Sequence, residues 1–141
     1  MKGQQLNILL VEDDEVDVMT VKRAFKTNHI TNPLLVAGDG IEALEKLRNG
    51  EVPKGRRLVL LDLNMPRMNG IEFLKELRND PELSATPVVV LTTSNDDEDK
   101  VKAYDMNVAG YLLKPVTFQN FCDVMVALNK YWSLVELPGH K

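Results

Sequence analysis

The chain has 141 residues, enough for one domain around a single sizeable core and too few for two ordinary ones. With 44% apolar and 27% charged residues it reads as globular, which excludes extensive disorder and fibrous repeats, and a net charge of -4 with pI near 5.2 excludes a surface that attracts nucleic acid. The lone Cys122 cannot form an internal disulfide, no apolar run approaches the roughly 18 residues of a membrane span, and Met1 to Asn7 is too polar for a secretory signal, so the expected compartment is the cytoplasm.

Leu6 to Val11 is a short apolar run that stops at Glu12-Asp13-Asp14-Glu15, the pattern of a buried strand ending in an acidic loop. From Val16 to Phe25, Val18, Val21, Ala24 and Phe25 recur at helical spacing, with Asn28-His29 and Asn32-Pro33 as the stop. Leu34 to Ala37 is a second strand. Asp39-Gly40-Ile41-Glu42 opens a helix with Ala43, Leu44 and Leu47 as its apolar face, and Asn49-Gly50 closes it. The segment Glu51 to Arg57 is a polar connection longer than the architecture needs.

Leu58-Val59-Leu60-Leu61 reads as a strand buried on both faces, and Asp62 arrives as it ends. Met65-Pro66 breaks regular structure, and Asn69-Gly70 followed by Glu72 is a capping signature for a helix carrying Ile71, Phe73, Leu74 and Leu77. Pro87 to Leu91 is a β-branched fourth strand ending in Thr92-Thr93-Ser94. A helix with an acidic start follows through Val101, Tyr104 and Met106, as the helix dipole favours. Ala109 to Leu113 is a brief fifth strand ending in Lys114-Pro115, and a last helix from near Thr117 carries Phe118, Phe121, Cys122, Met125 and Leu128 on one stripe.

Five alternating strands and helices with short connections predict an α/β fold, a doubly wound parallel sheet covered on both faces. Ligands bind such sheets beyond the carboxyl ends of the strands. Glu12, Asp13, Asp14, Asp62, Thr92 and Lys114 all fall at those ends. Crowded carboxylates repel one another, and a hard divalent cation with oxygen ligands relieves the repulsion, with Mg2+ the natural choice. Lys114 as a point charge and Thr92 as a hydrogen-bond donor suit a phosphoryl group, for which Asp62 would be the nucleophile.

Val11-Glu12-Asp13-Asp14, Asp62 with Met65-Pro66 and Asn69-Gly70, Thr92-Thr93 and Lys114-Pro115 follow the order and approximate spacing of a known family: the chain resembles the receiver domain of two-component response regulators. The resemblance covers residues 6 to about 130, with 1–5 as an N-terminal tail and 131–141 as a C-terminal extension. It implies a flavodoxin-like three-layer (βα)5 sandwich with strand order 2-1-3-4-5, an order the handedness rules alone do not select. By resemblance Asp62 is the phosphoacceptor and Asp13 the direct Mg2+ ligand. Glu12 is the other half of the acidic pair, acting through water, and Asp14 a third acid one step removed.

The same resemblance has Asn64 give its backbone carbonyl to the metal, Thr92 serve as the switch hydroxyl, and Tyr111 change rotamer with it, while Thr93 and Ser94 flank the switch. Lys114-Pro115 is similar to the family's cis peptide. Phosphate would draw Thr92 inward and alter the face made by helix four, strand five and helix five. The implied function is a stand-alone receiver in phosphorelay signalling that takes a phosphoryl group from a histidine kinase and acts through protein partners, not an enzyme beyond its own phosphorylation and dephosphorylation.

The loop 51–57 and the ending Tyr131 to Pro138 are similar to receivers that accompany bacterial phytochrome kinases. Val124, Ala127, Tyr131 and Trp132 outside the main stripe suggest a homodimer seam on the last helix, unless they cover their own core. Two further readings stay open: a phosphotransfer intermediate or phosphate sink in a multistep relay, and a phosphatase of the haloacid dehalogenase type. Against the phosphatase stands Asn64, which cannot protonate a leaving group.

Overall fold

The computed structural model describes residues 6–114 and 118–134. Its elements run β1 (Asn7–Val11), α1 (Glu15–Thr27), β2 (Leu34–Ala37), α2 (Gly40–Arg48), β3 (Arg57–Leu61), α3 (Gly70–Asn79), β4 (Val88–Thr92), α4 (Asp97–Asp105), β5 (Gly110–Leu113) and α5 (Phe118–Leu134). All five strands are parallel, in the order β2-β1-β3-β4-β5. This is the flavodoxin-like arrangement expected.

The two-residue period of the strands builds two cores from one sheet. Leu9, Val11, Val59, Leu61, Val88 and Val90 face α2 and α3, where they meet Leu44, Leu47, Phe73, Leu74 and Leu77. Ile8, Leu10, Leu58, Leu60, Val89 and Leu91 face α1 and α5, and meet Val21, Phe25, Cys122, Met125 and Trp132. Strands buried on both faces must be apolar throughout, which is why they read as continuous runs.

Four helices begin on an Asx cap: Asp14, Asp39, Asn69 and Asp96 each accept from a backbone N–H of the first turn. Such a cap contributes about 1 kcal/mol. At Asn69 the box is complete, because Glu72 reaches back to the Asn69 N–H while Asn69 accepts from the Glu72 N–H, both at 2.9 Å. Each cap also fixes where its strand-to-helix loop ends.

The segment 51–57 is more than a spacer. Val52 is fully buried in the core, and Arg57, itself buried, donates to the Val52 carbonyl at 3.3 Å. Arg56 donates to the Trp132 carbonyl, while the Arg56 carbonyl accepts from the Asn7 backbone and side chain. These contacts tie the loop to both β1 and α5.

Helix α5 passes residue 130 without a break and is described as far as Leu134. Trp132 is 5% exposed and belongs to the core with Val124 packed beside it, whereas Tyr131 and Leu134 are exposed. The expected seam on this helix is thereby divided, part of it covering its own core. The side chains of Phe118 and Phe121, and Pro115 with its expected cis peptide, lie outside the described residues. Among the described residues no helix is long and apolar enough to cross a membrane.

Candidate functional site

The register of the sheet places the acids. Val11 of β1 lies beside Leu61 of β3, and the Asp62 N–H bonds the Val11 carbonyl at 3.0 Å, so Glu12 and Asp62 leave the sheet side by side. One carboxylate oxygen from each of Glu12, Asp13 and Asp62 can be chosen so that all lie within 4.8 Å of one another. Glu12 and Asp62 are buried, and Asp13 is exposed.

Asp62 is held on two sides. Its Oδ1 accepts from the Thr92 hydroxyl at 2.7 Å and from the Asn64 N–H at 3.2 Å. Its Oδ2 meets the Lys114 ammonium at 3.4 Å. One oxygen is thus committed to two donors, and the other is available to a new partner.

Lys114 is brought back by β5, whose end is fixed when the Lys114 N–H donates to the Thr92 carbonyl at 2.8 Å. Its Nζ donates to Glu12 at 2.7 Å and to Asp17 at 2.5 Å. Burial by itself pulls the Lys114 pKa down, but the hydrogen bonds to Asp17 and Glu12 and the charges of Glu12 and Asp62 outweigh it and hold it above the ordinary lysine range. Burial, with Asp62's charge adding to it and Lys114 opposing, pushes Glu12 up to about 7. A metal ion binding to this acid must displace its proton, so cation binding there depends on pH.

A chain of hydrogen bonds leads away from Asp62. Thr92, fully buried, accepts weakly from the Ser94 N–H at 3.3 Å, and the Ser94 carbonyl accepts from the Tyr111 hydroxyl at 2.8 Å. Ser94 Oγ in turn donates to Asp99 on α4 at 2.7 Å. Tyr111 is half-buried against the core, and Thr93 is exposed. Asp62, Thr92, the Ser94 loop and Tyr111 are therefore contiguous.

Asp14 stands beside the cluster: its N–H donates to Glu12 at 3.2 Å, while its Oδ1 caps α1 by accepting from the Val16 and Asp17 N–H groups. Asn64 is exposed and approaches Asp62 through its backbone N–H.

Sequence reasoning missed two groups. Asp17 reaches Lys114 from the first turn of α1; its only signal was the four-residue spacing from Asp13, indistinguishable from an acid placed to suit the helix dipole. Arg67 is the other. It takes a positive φ of 62° in the loop after Asp62 and ion-pairs with Asp39, the buried cap of α2. Burial works against the Asp39 carboxylate, but the Glu42 N–H and Arg67 hold its pKa below the usual range.

Gly70 completes the loop. A Cβ there would sit 2.6 Å from Leu63 Cα and 2.9 Å from the Asp62 carbonyl. The start of α3 closes on the acid-bearing loop only because no side chain intervenes.

Known proteins resemble this chain over nearly its whole length. The response regulator Rcp1 of Synechocystis sp. is 37% identical over 136 residues, spanning 94% of this chain and 92% of the relative. The crystal structure of Rcp1 in its Mn2+-bound form superposes with a TM-score of 0.81 at 36% identity, covering 96% of this chain and 99% of that one. The phosphorylated cyanobacterial phytochrome response regulator RcpA gives a TM-score of 0.84 at 33% identity, again over 96% and 99%. Residues 8–125 match the response regulator receiver domain, and the chain belongs to that family of phosphorelay signalling proteins.

Proposed function

We propose that Asp62 accepts a phosphoryl group from a phosphohistidine of a sensor histidine kinase, and that the chain passes the signal to protein partners. The observation that carries this reading is the placement of one buried carboxylate between the Thr92 hydroxyl and the Lys114 ammonium, beside Glu12 and Asp13. In the transfer, an Asp62 oxygen forms a bond to phosphorus as the phosphorus–nitrogen bond breaks and the histidine leaves with its electron pair. Such a transfer needs positioning and charge neutralisation more than covalent help.

The donor set suits a hard cation. Three carboxylate oxygens within 4.8 Å compare with about 4.2 Å between opposite ligands of an octahedral shell with bonds near 2.1 Å, so the three have little distance to close. Glu12, Asp13, Asp62 and the Asn64 backbone carbonyl would hold Mg2+, which neutralises charge on the phosphoryl oxygens when bound. Thr92 donates to the phosphoryl group, Lys114 balances its charge, and the bond that Thr92 now makes to Asp62 is exchanged for one to phosphate. Through Ser94 that exchange reaches Tyr111 and α4.

The cyanobacterial phytochrome response regulator RcpA, matched over 99% of its chain, supports a phytochrome-type kinase as donor. Exposed Val101, Tyr104 and Leu113 on α4 and β5 support a homodimer through the α4-β5-α5 face, which sedimentation with and without a phosphoryl donor tests directly. Incubation with acetyl phosphate and Mg2+ should add the mass of one phosphoryl group to the intact chain and nothing to Asp62→Asn. An equal gain in that variant, or none in the wild type, overturns the reading.

A further inference from the structure

The Lys114 ammonium has three protons and faces three carboxylates at unequal distances: Asp17 at 2.5 Å, Glu12 at 2.7 Å and Asp62 at 3.4 Å. The longest contact is the one to the acceptor. Asp17 cannot follow the lysine inward, because α1 is anchored on the sheet by Val21, Ala24 and Phe25. We propose that Asp17 is a positioning residue that holds Lys114 back from Asp62, so that the lysine must trade its Asp17 contact for a phosphoryl oxygen when the phosphorylated state forms.

This inference rests on Asp62 being the phosphoacceptor. Asp17 then acts as a counterweight, drawing the equilibrium toward the unphosphorylated arrangement. The Asp17 side chain is 37% exposed, so water screens the pair and the counterweight is modest. It follows that removing Asp17 should improve the site, whereas removing a merely structural residue would damage it.

The experiment titrates the full chain with beryllofluoride, a non-transferable stand-in for a phosphoryl group, in the presence of Mg2+, and follows backbone amide resonances. Asp17→Asn should bind about threefold to tenfold more tightly than the wild type. Glu15→Gln removes the same charge from the same turn of α1 but lies outside the Lys114 cluster, and it should change the affinity less than twofold. The Lys114 ammonium resonance, recorded without fluoride, should shift in the first variant and not in the second.

Equal affinity gains in the two variants would reduce the effect to bulk charge and overturn the inference. So would unchanged or weaker binding in Asp17→Asn with its melting temperature preserved. If Asp17→Asn melts lower, Asp17→Ser in its place must show the gain, or the inference fails. A wild type that binds no beryllofluoride overturns the phosphoacceptor reading itself, and an inert Asp17→Asn beside a binding wild type overturns only the inference.

Discussion

Helices α3 and α4 are neighbours on the same face of the sheet, yet they are attached to it differently. Over ten residues α3 buries Gly70, Phe73, Leu74 and Leu77 and begins on a full capping box. Over nine residues α4 buries Ala103 and leaves Val101 and Tyr104 in solvent. What holds α4 is polar and sits at its ends. Arg78 of α3 donates to the Met106 and Asn107 carbonyls just past its C-terminus and to the Ser84 and Thr86 carbonyls, and Ser94 bonds Asp99 in its first turn. Helix α3, beside the Asp62 loop, is fixed by packing, and α4, linked to Asp62 through Thr92 and Ser94, is held at its ends by hydrogen bonds. On the proposed function, a small rearrangement at Thr92 would move α4 while α3 stays in place.

The sharpest test of this contrast is truncation of one side chain on each helix. Phe73→Ala should cost about 3–5 kcal/mol in denaturant unfolding, and Tyr104→Ala less than about 0.5 kcal/mol. Equal costs would erase the distinction. Arg78→Met comes next, at about 2 kcal/mol or more, since partly buried carbonyls lose their donor. Amide exchange in that variant should accelerate at the C-terminal end of α4 well before it does in α3.

The Asp62 site also carries an electrostatic cost that pH reveals. Glu12 is raised from an ordinary value of 4.5 to about 7, so the folded state binds its proton more tightly than the unfolded chain does. Its contribution to stability is present below pH 4.5 and is lost as the pH climbs through 7, by on the order of 2 kcal/mol. Comparison of the wild type with Glu12→Gln by thermal melting across pH 4.5–8, in chelator, isolates this contribution from that of other acids; a divalent cation should flatten the wild-type curve.

The smallest effect concerns the α4 cap. Asp96→Ala removes the acceptor for the Glu98 N–H and should cost about 1 kcal/mol or less, seen as faster exchange within α4 rather than as a lower global midpoint. A global loss equal to that of Asn69→Ala would show α4 to be as integral as α3.

Much of this molecule was determined by sequence alone, wherever the cause was local. The apolar runs of β1, β3 and β4, the caps at Asp39 and Asn69, and the presence of Glu12, Asp62, Thr92 and Lys114 at strand ends all follow from patterns within a few residues. Parallel strands bring their carboxyl ends to one edge whatever their order, so the site could be assembled before the sheet was. The strand order itself came from family resemblance. Only the tertiary structure decided how the carboxylates divide their work. Asp13 and Asp14 are adjacent and chemically identical, but one joins the cluster and the other caps a helix. Asp17 meets a lysine 97 residues away, and Arg67 meets Asp39 28 residues away. Trp132, readable as part of an external seam, lies in the core against the sheet face that α1 and α5 cover. Contacts of this kind depend on crossovers that set two distant segments side by side, and a pattern confined to three or four residues carries no record of them.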